Sequence, residues 1–402
     1  MPALKILQFC NKPPYPAIDG GCIGMNNLSH IIHDVGFDLQ VFSLESDKHP
    51  LDIQALTSEY LQMTQLETAK VFLEVKPLSA FLNLVFSRRS YNFTRFFNKK
   101  AAQKLCLILK QNSFDWIVLE SVFLKDYLPI IRKYSQAKVL LRAPNVEFVI
   151  WQRMLQQEKN PIKGFYLNVL QKRLQKEERA AWKQFDAILT VTQRDLDLIK
   201  TFGFKGKTGV LPTGLDVTKN LKKIIVQPQF PSIFHIGALD WRPNIEGLQW
   251  FLAEVWPELQ GLFPNLNFYI AGRRPPQWLL DLDVPGVKIV GEVADAAEFM
   301  TSKAIMPVPL FSGSGLRVKI IEAMSLSKAI VSTSVGIEGI VHEDGTNVLL
   351  AESKADFIRQ ISRLIQDEPF YHRMCQEAAA SARIHYAHDI LCNRFETFIL
   401  SK

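Results

Sequence analysis

The sequence predicts an α/β fold made of two Rossmann-like, doubly wound domains that face each other across a cleft. Three observations lead there. Short, continuous apolar runs alternate with helical patterns along the chain, the mark of parallel sheets covered on both faces. The alternation completes one set and then a second, with a Lys-rich, Pro-flanked stretch at 216–231 between them. A chain of 402 residues is also two domains long at ordinary domain size.

The first run, LKILQF (4–9), ends in the Pro/Gly loop NKPPYPAIDGG, and a helix pattern follows from Cys22 to about Val35, stopped by Gly36. Strands are then predicted at DLQVFSL (38–44), VFLEV (71–75), DWIVLE (115–120), KVLLR (138–142), DAILTVT (186–192) and TGVLP (208–212), most of them separated by helical stretches. The second set opens with SIFHIGAL (232–239) and a helix over 244–263. Strands NFYIAG (267–272), VKIVG (287–291), AIMPVPL (304–310), AIVST (329–333) and NVLLA (347–351) follow, with helices at 295–302, 316–326, 353–367 and 370–385. The closing DILCNRFETFILSK reads as an amphipathic helix with Ile390, Phe395, Phe398 and Ile399 on its apolar side. The expected division is a first domain over 1–215, a linker over 216–231, a second domain over 232–386 and a last helix over 387–402.

Composition narrows the class. With 48% hydrophobic and 22% charged residues the chain is not disordered over most of its length. Its five cysteines show no metal-ligand spacing, which argues against a zinc site or a disulfide framework and for a reducing compartment. The start is too short in apolar residues for a signal peptide, and no stretch reaches the roughly 18 a membrane span needs, so a cytoplasmic location is expected. The net charge of +7 divides into +10 over residues 1–212 and −3 over 213–402, so the first half is expected to meet something anionic.

Four places could carry chemistry. In PPYPAIDGG (13–21), Asp19, Gly20 and Gly21 stand at a strand-to-helix junction, where backbone N–H groups suit an anion or simply form a tight turn. In FSGSGLRVKIIEAM (311–324), Gly313, Ser314 and Gly315 again lead into a helix. Arg317 and Lys319 in its first turn oppose the helix dipole, a penalty that a bound phosphate would remove. Glu322, further along, could accept hydrogen bonds from a ribose diol. In LRAPNVEFVIWQRM (141–154), Asn145 and Glu147 follow a strand end, although Asn145 could equally be a helix cap. In GALDWRPN (237–244) and AGRRP (271–275), Arg242, Arg273 and Arg274 could reach a diphosphate, while Trp241 reads as packing. The histidines fall singly, and no nucleophile-plus-base signature is present.

In order and spacing, PPYPAIDGG, NVE (145–147), GALDWRPN, AGRRP, VGEVAD (290–295), VPLFSGSGLRVKIIEAM and AIVSTSVGIEGI (329–340) resemble the GT-B glycosyltransferases of family 4, retaining enzymes that use nucleotide-sugar donors. The look-alikes include bacterial transferases that build surface polysaccharides. The resemblance implies a donor in the second domain and a glycan or lipid-linked acceptor on the first. It implies that Glu322 holds the ribose, that the 313–315 loop faces the donor sugar and diphosphate, and that the 19–21 loop borders the same cleft. It implies no bound metal and no other cofactor. Three positions depart from the pattern: Pro144 replaces the His of HNVE, Ser314 replaces the first of two paired glutamates, and Ala238 replaces the Arg that often follows the glycine of the second domain's first strand, whose phosphate contacts Arg317 and Lys319 could take over. A protein that binds a sugar nucleotide or a partner without transfer is therefore one alternative, and a GT-B sugar-nucleotide epimerase is another. Nucleic acid is not an expected partner, because the basic residues are dispersed and no nucleic-acid-binding motif is present. An anionic membrane surface is an expected one. FLNLVFSRRSYNFTRFFNKK (81–100) mixes five phenylalanines with five cations, and QKRLQKEERAAWK (171–183) is a second basic stretch.

Overall fold

The structure is a computed structural model describing residues 3–17, 19–74, 82–84, 86–87, 89–214, 228–313 and 315–401. Contacts divide the chain into two compact units, Met1–Thr213 with Leu391–Lys402, and Gly214–Ile390. Most of the predicted linker lies outside the described residues.

The first unit is built on seven parallel strands: β1 (Lys5–Cys10), β2 (Asp38–Glu45), β3 (Glu67–Lys70), β4 (Trp116–Leu119), β5 (Lys138–Ala143), β6 (Ala187–Thr190) and β7 (Lys207–Val210). Their spatial order is β3-β2-β1-β4-β5-β6-β7. The central strands are apolar on both faces because both faces are covered. From β1, Leu7 and Phe9 join the core that holds Leu105 and Ile131. Ile6 and Cys10 face the opposite core, with Leu28 and Ile32. The last helix, His388–Leu400, buries Leu391, Phe395 and Ile399 in that second core, a stripe at four-residue spacing. Leu391 thus heads the stripe, and Ile390 is only half-buried.

The second unit repeats the arrangement with β8 (Ser232–Ile236), β9 (Asn267–Ala271), β10 (Val287–Gly291), β11 (Ile305–Val308), β12 (Ala329–Ser332) and β13 (Leu349–Leu350). All pairs are parallel, in the order β10-β9-β8-β11-β12-β13. Its core is dense in aromatic rings. Phe251, Trp256, Phe268 and Phe357 meet at centroid distances between 5.2 and 6.0 Å.

Two expectations need correction. The third strand of the first unit is Glu67–Lys70, not 71–75; the apolar run that suggested 71–75 contributes buried Val71, and the rest of it to 74 is not strand. The long helix expected over 244–263 is three pieces, Arg242–Trp250, a π turn at Phe251–Val255 and Trp256–Leu262. Pro257 sits near that last break, where its missing N–H is harmless.

Candidate functional site

In both units the strand order reverses at the first strand, between β1 and β4 and between β8 and β11. Loops diverge there beyond the carboxyl ends of the strands and leave room for a ligand.

In the second unit that point is lined by residues following β8 and β11. The β11 chain runs through Pro309–Gly315 into the helix Val318–Ser325. Arg317 is the residue before that helix rather than part of its first turn, and it is buried. Its guanidinium bonds the Gly315 carbonyl and lies 5.6 Å from the Trp241 ring centroid, so Trp241 packs on a cation. Gly313 makes this possible. Its φ is +109°, and a Cβ there would stand 3.0 Å from Arg317 Nη2 and 3.1 Å from the indole. Ser314 lies outside the described residues.

Lys319 Nζ donates to Asn244 Oδ1 at 3.0 Å, and Asn244 in turn donates to the Ala238 carbonyl at 2.9 Å. Gly237 lets the ammonium approach the end of β8, since a Cβ on it would be 3.1 Å from Nζ. Burial, reinforced by Arg317, lowers the Lys319 pKa to about 7. His235, on β8, is buried, its Nε2 has no hydrogen-bond partner among the described residues, and burial beside Lys319 keeps it neutral. Glu322 is pushed up to about 7, chiefly by burial and further by Asp295. Asp295 caps the helix Ala296–Thr301 by accepting from Ala297 N–H at 2.8 Å and Glu298 N–H at 3.2 Å. No described residue hydrogen-bonds or ion-pairs the Glu322 carboxylate. Two cations and one open carboxylate therefore stand within a few residues of each other, and Lys319 and Glu322 have no opposite charge at hydrogen-bond distance among the described residues. That arrangement can bind a diphosphate and a diol together.

The other arginines are placed differently. Arg242 is exposed and paired with Glu246 at 2.6 Å. Arg274 is exposed and paired with Asp240 at 3.0 Å, and Arg273 contributes its carbonyl to the Leu239 N–H at 2.9 Å. Sequence reasoning missed Asn244, His235 and Asp295. The first stands in GALDWRPN, where attention went to the arginine.

The first unit handles its polar groups otherwise. Asp19 caps the helix Gly20–Asp34 by accepting the Cys22 N–H at 2.9 Å, and Lys12 lies 2.6 Å from it. Burial works to raise the Asp19 pKa, but Lys12 and the hydrogen bonds hold it at about 2. The chain's own carboxylate thus occupies the helix N-terminus where Gly20 and Gly21 suggested an outside anion. Beneath lies a buried network of paired charges, in which Arg142 Nε lacks a partner among the described residues. Gln8 Nε2 donates to Glu120 at 2.6 Å, Ser29 donates to Gln8 at 2.6 Å, and Arg142 donates to Glu120 at 2.9 Å.

Asn145 is not the cap of the helix Glu147–Gln157, whose N-cap position is Val146. Glu178 from the helix Pro161–Trp182 does that work, accepting from the Glu147 N–H at 3.0 Å and the Phe148 N–H at 2.9 Å. Burial and Asp195 raise the Glu147 pKa to about 7, and burial with Glu147 raises Glu178. Among the described residues there is no cluster of metal-ligating side chains.

The segment 81–100 is less of a surface than its composition suggests. Phe93 and Phe96 are core, Phe96 stacks on Phe123 at 5.0 Å, and Arg89 pairs with Asp126 at 2.6 Å. Phe86 and Phe97 are exposed, while Phe81 and Arg88 lie outside the described residues. No described helix is long and apolar enough to cross a membrane.

Comparison with known proteins fits this geometry. A protein of Klebsiella pneumoniae described as an uncharacterized 44.6 kDa protein in the cps region is 23% identical over 372 residues, covering 89% of this chain and 90% of that one. Among solved structures, sucrose-phosphate synthase from Thermosynechococcus elongatus superposes with a TM-score of 0.69 at 14% identity over 98% of each chain. Anabaena HepE in complex with UDP-glucose superposes with a TM-score of 0.63 at 13% identity, again over 98% of each. The chain therefore has the GT-B fold of two Rossmann-like units, and residues 230–367, which hold Arg317, Lys319 and Glu322, match the family model for glycosyl transferases group 1.

Proposed function

We propose that the protein is a glycosyltransferase that moves a sugar, with retention, from a nucleotide-sugar donor to a glycan or lipid-linked acceptor in bacterial surface-polysaccharide synthesis. The observation that carries the reading is the group at the end of β11: buried Arg317 beside Lys319, whose one hydrogen bond among the described residues is to the neutral Asn244 amide, and Glu322, whose carboxylate has no hydrogen-bond or ion-pair partner among them. Anabaena HepE, which shares this fold, is solved in complex with UDP and with UDP-glucose, and the similar Klebsiella protein is described as lying in a cps region, which supports the donor class and the pathway.

In this reading Glu322 accepts the two ribose hydroxyls. Lys319 and Arg317 hold the diphosphate and stabilise the charge that grows on it as the glycosidic bond breaks. Their two positive charges do the work for which a metal would otherwise be used, so no metal is needed. A donor phosphate oxygen takes the acceptor's proton, and the protein contributes position and electrostatics rather than a base. The 313–315 loop faces the donor sugar. Asn145 and Glu147, with the 19–21 loop, belong to the acceptor side. The enzyme works at the cytoplasmic face of an anionic membrane. Lys172, Lys176 and Arg179 along one helix and Lys183 just past its end, with exposed Ile162 and Phe165 at its start, support that placement.

The test is a thermal-stabilisation screen over nucleotide-sugars followed by a transfer assay with the one that binds. Stabilisation by one or more donors, lost in Glu322→Gln, is expected. A chain stabilised by none of them would overturn the reading, and donor hydrolysis or binding without transfer would favour the non-transferring alternative.

A further inference from the structure

We propose that the first unit contains a separate binding site, a recess that takes a sugar carrying an acidic group, either a carboxylate or a phosphate monoester. The inference rests on the transferase reading only in naming that sugar as the acceptor; the binding stands without it.

A cavity of about 570 Å³ opens beyond the carboxyl ends of β1, β2 and β3. It lies to one side of the strand-order reversal, and every residue lining it belongs to the first unit. Asn11 and Lys12 follow β1, Lys48 and His49 follow β2, and Arg95 and Phe96 close the far side. The volume falls in the range of small-ligand pockets and exceeds what an inorganic anion fills.

Arg95 decides the chemistry. It is half-buried, with its guanidinium 5.3 Å from the Phe96 ring centroid. Its one hydrogen bond among the described residues is a long one, from Nη1 to the Leu73 carbonyl at 3.4 Å. Its Nε is buried with no partner among the described residues, and no carboxylate there pairs with it. A guanidinium taken out of water without a counter-charge is costly, and an anion placed against it recovers that cost. Burial accordingly draws its pKa below the usual arginine value.

The neighbours agree. His49 Nδ1 is also buried and lacks a partner among the described residues. Lys48 is exposed at the mouth and makes no ion pair among them, so it is available to a ligand. Lys12 is different, because Asp19 already neutralises it at 2.6 Å. Asp47 and Glu74 also line the recess, but both are exposed and screened by solvent. The uncompensated charge on the buried side of the recess is thus the Arg95 cation, beside a His49 that burial keeps from protonating readily. Asn11 and Ser46 offer hydrogen bonds to sugar hydroxyls.

The experiment uses the full chain and three probes: D-glucuronate, α-D-glucose 1-phosphate and, as neutral control, D-glucose. Saturation-transfer NMR reads binding of each. One or both acidic probes are expected to bind at least tenfold more tightly than glucose, and the pair tells a carboxylate site from a phosphate site. Arg95→Gln should weaken that binding at least tenfold. Because Arg95 packs on Phe96, Lys48→Glu at the exposed mouth serves as a second variant that leaves the core alone, and it should weaken binding about threefold or more. Lys319→Ala should leave it unchanged. Equal binding of acid and neutral sugars would overturn the proposal. So would acid binding that survives both first-unit variants, or that disappears in Lys319→Ala, which would assign the anion to the second unit. Nucleotide-sugar stabilisation, measured on the same proteins, tests the donor reading independently, so the two can fail separately.

Discussion

The two units share a topology and differ in what they leave uncompensated at the same place. At the first unit's reversal point each buried charge has an opposite one, although Arg142 Nε, like His235 Nε2 in the second unit, has no hydrogen-bond partner among the described residues. Arg142 and Glu120, 3% and 0% exposed, pair at 2.9 Å, Gln8 satisfies the other Glu120 oxygen, and Asp19 fills the helix N-terminus. At the second unit's reversal point, among the described residues, Lys319 bonds only a neutral amide, Glu322 has no hydrogen-bond partner and His235 Nε2 is unbonded. The fold dictates where a ligand could go, and the proposed function assigns the donor to the place where charges are left open.

The largest expected effect breaks the closed side. Glu120→Ala strands a buried guanidinium, so unfolding stability should fall by about 3–5 kcal/mol. Denaturant melts would check it. A loss under about 1 kcal/mol would mean that water already reaches the pair and that the contrast between the units is false.

Next comes the open side. Lys319→Ala should lower kcat about 10²–10³-fold, the loss typical of removing one donor to a developing anion. Its stability should hold or rise, because a poorly compensated buried amine is removed. Wild-type turnover with a lowered melting temperature would make Lys319 structural.

The contrast explains what could be read from the sequence. The parallel sheets were legible because β4 and β11 are unbroken apolar runs and β1 and β5 are apolar but for Lys5, Gln8, Lys138 and Arg142. β3 was not, because ETAK is polar and pairs only with β2 at the edge of its sheet, so burial left no mark on it. Arg317, Lys319 and Glu322 stood out as charges beside glycines. Asn244 and His235 did not, because a buried amide or imidazole looks the same in sequence whether its partner is a carbonyl, a lysine or nothing. Glu178 was invisible for a related reason. It caps a different helix from its own, a tertiary contact that no local pattern encodes.

The smallest effect is also the most discriminating, because its two parts have opposite signs. Glu322→Gln keeps the shape but gives up the charge. Donor affinity should fall by about 1.5–3 kcal/mol if a charged acceptor holds the ribose. Stability should move the other way. The Glu322 carboxyl has its pKa raised from 4.5 to about 7 by burial, so the native state holds its proton more tightly than the unfolded chain does. Stability from this group is complete below about pH 4.5 and is lost as pH rises through 7. The Gln variant lacks that loss. It should nearly match the wild type near pH 4.5 and exceed it by up to about 3 kcal/mol at pH 8, a gain paired with lost binding as at other strained functional sites. Lys319, lowered from 10.5 to about 7, titrates in the same range with the opposite effect on charge. Donor binding should therefore pass through a maximum near pH 7, where ionised Glu322 and protonated Lys319 coexist most often. Calorimetric titrations at pH 5.5, 7 and 8.5 with the donor that binds would show it. Affinity that is flat across that range would mean that neither group touches the ligand, and a Gln variant less stable than the wild type at pH 8 would place Glu322 among the closed contacts of the first kind.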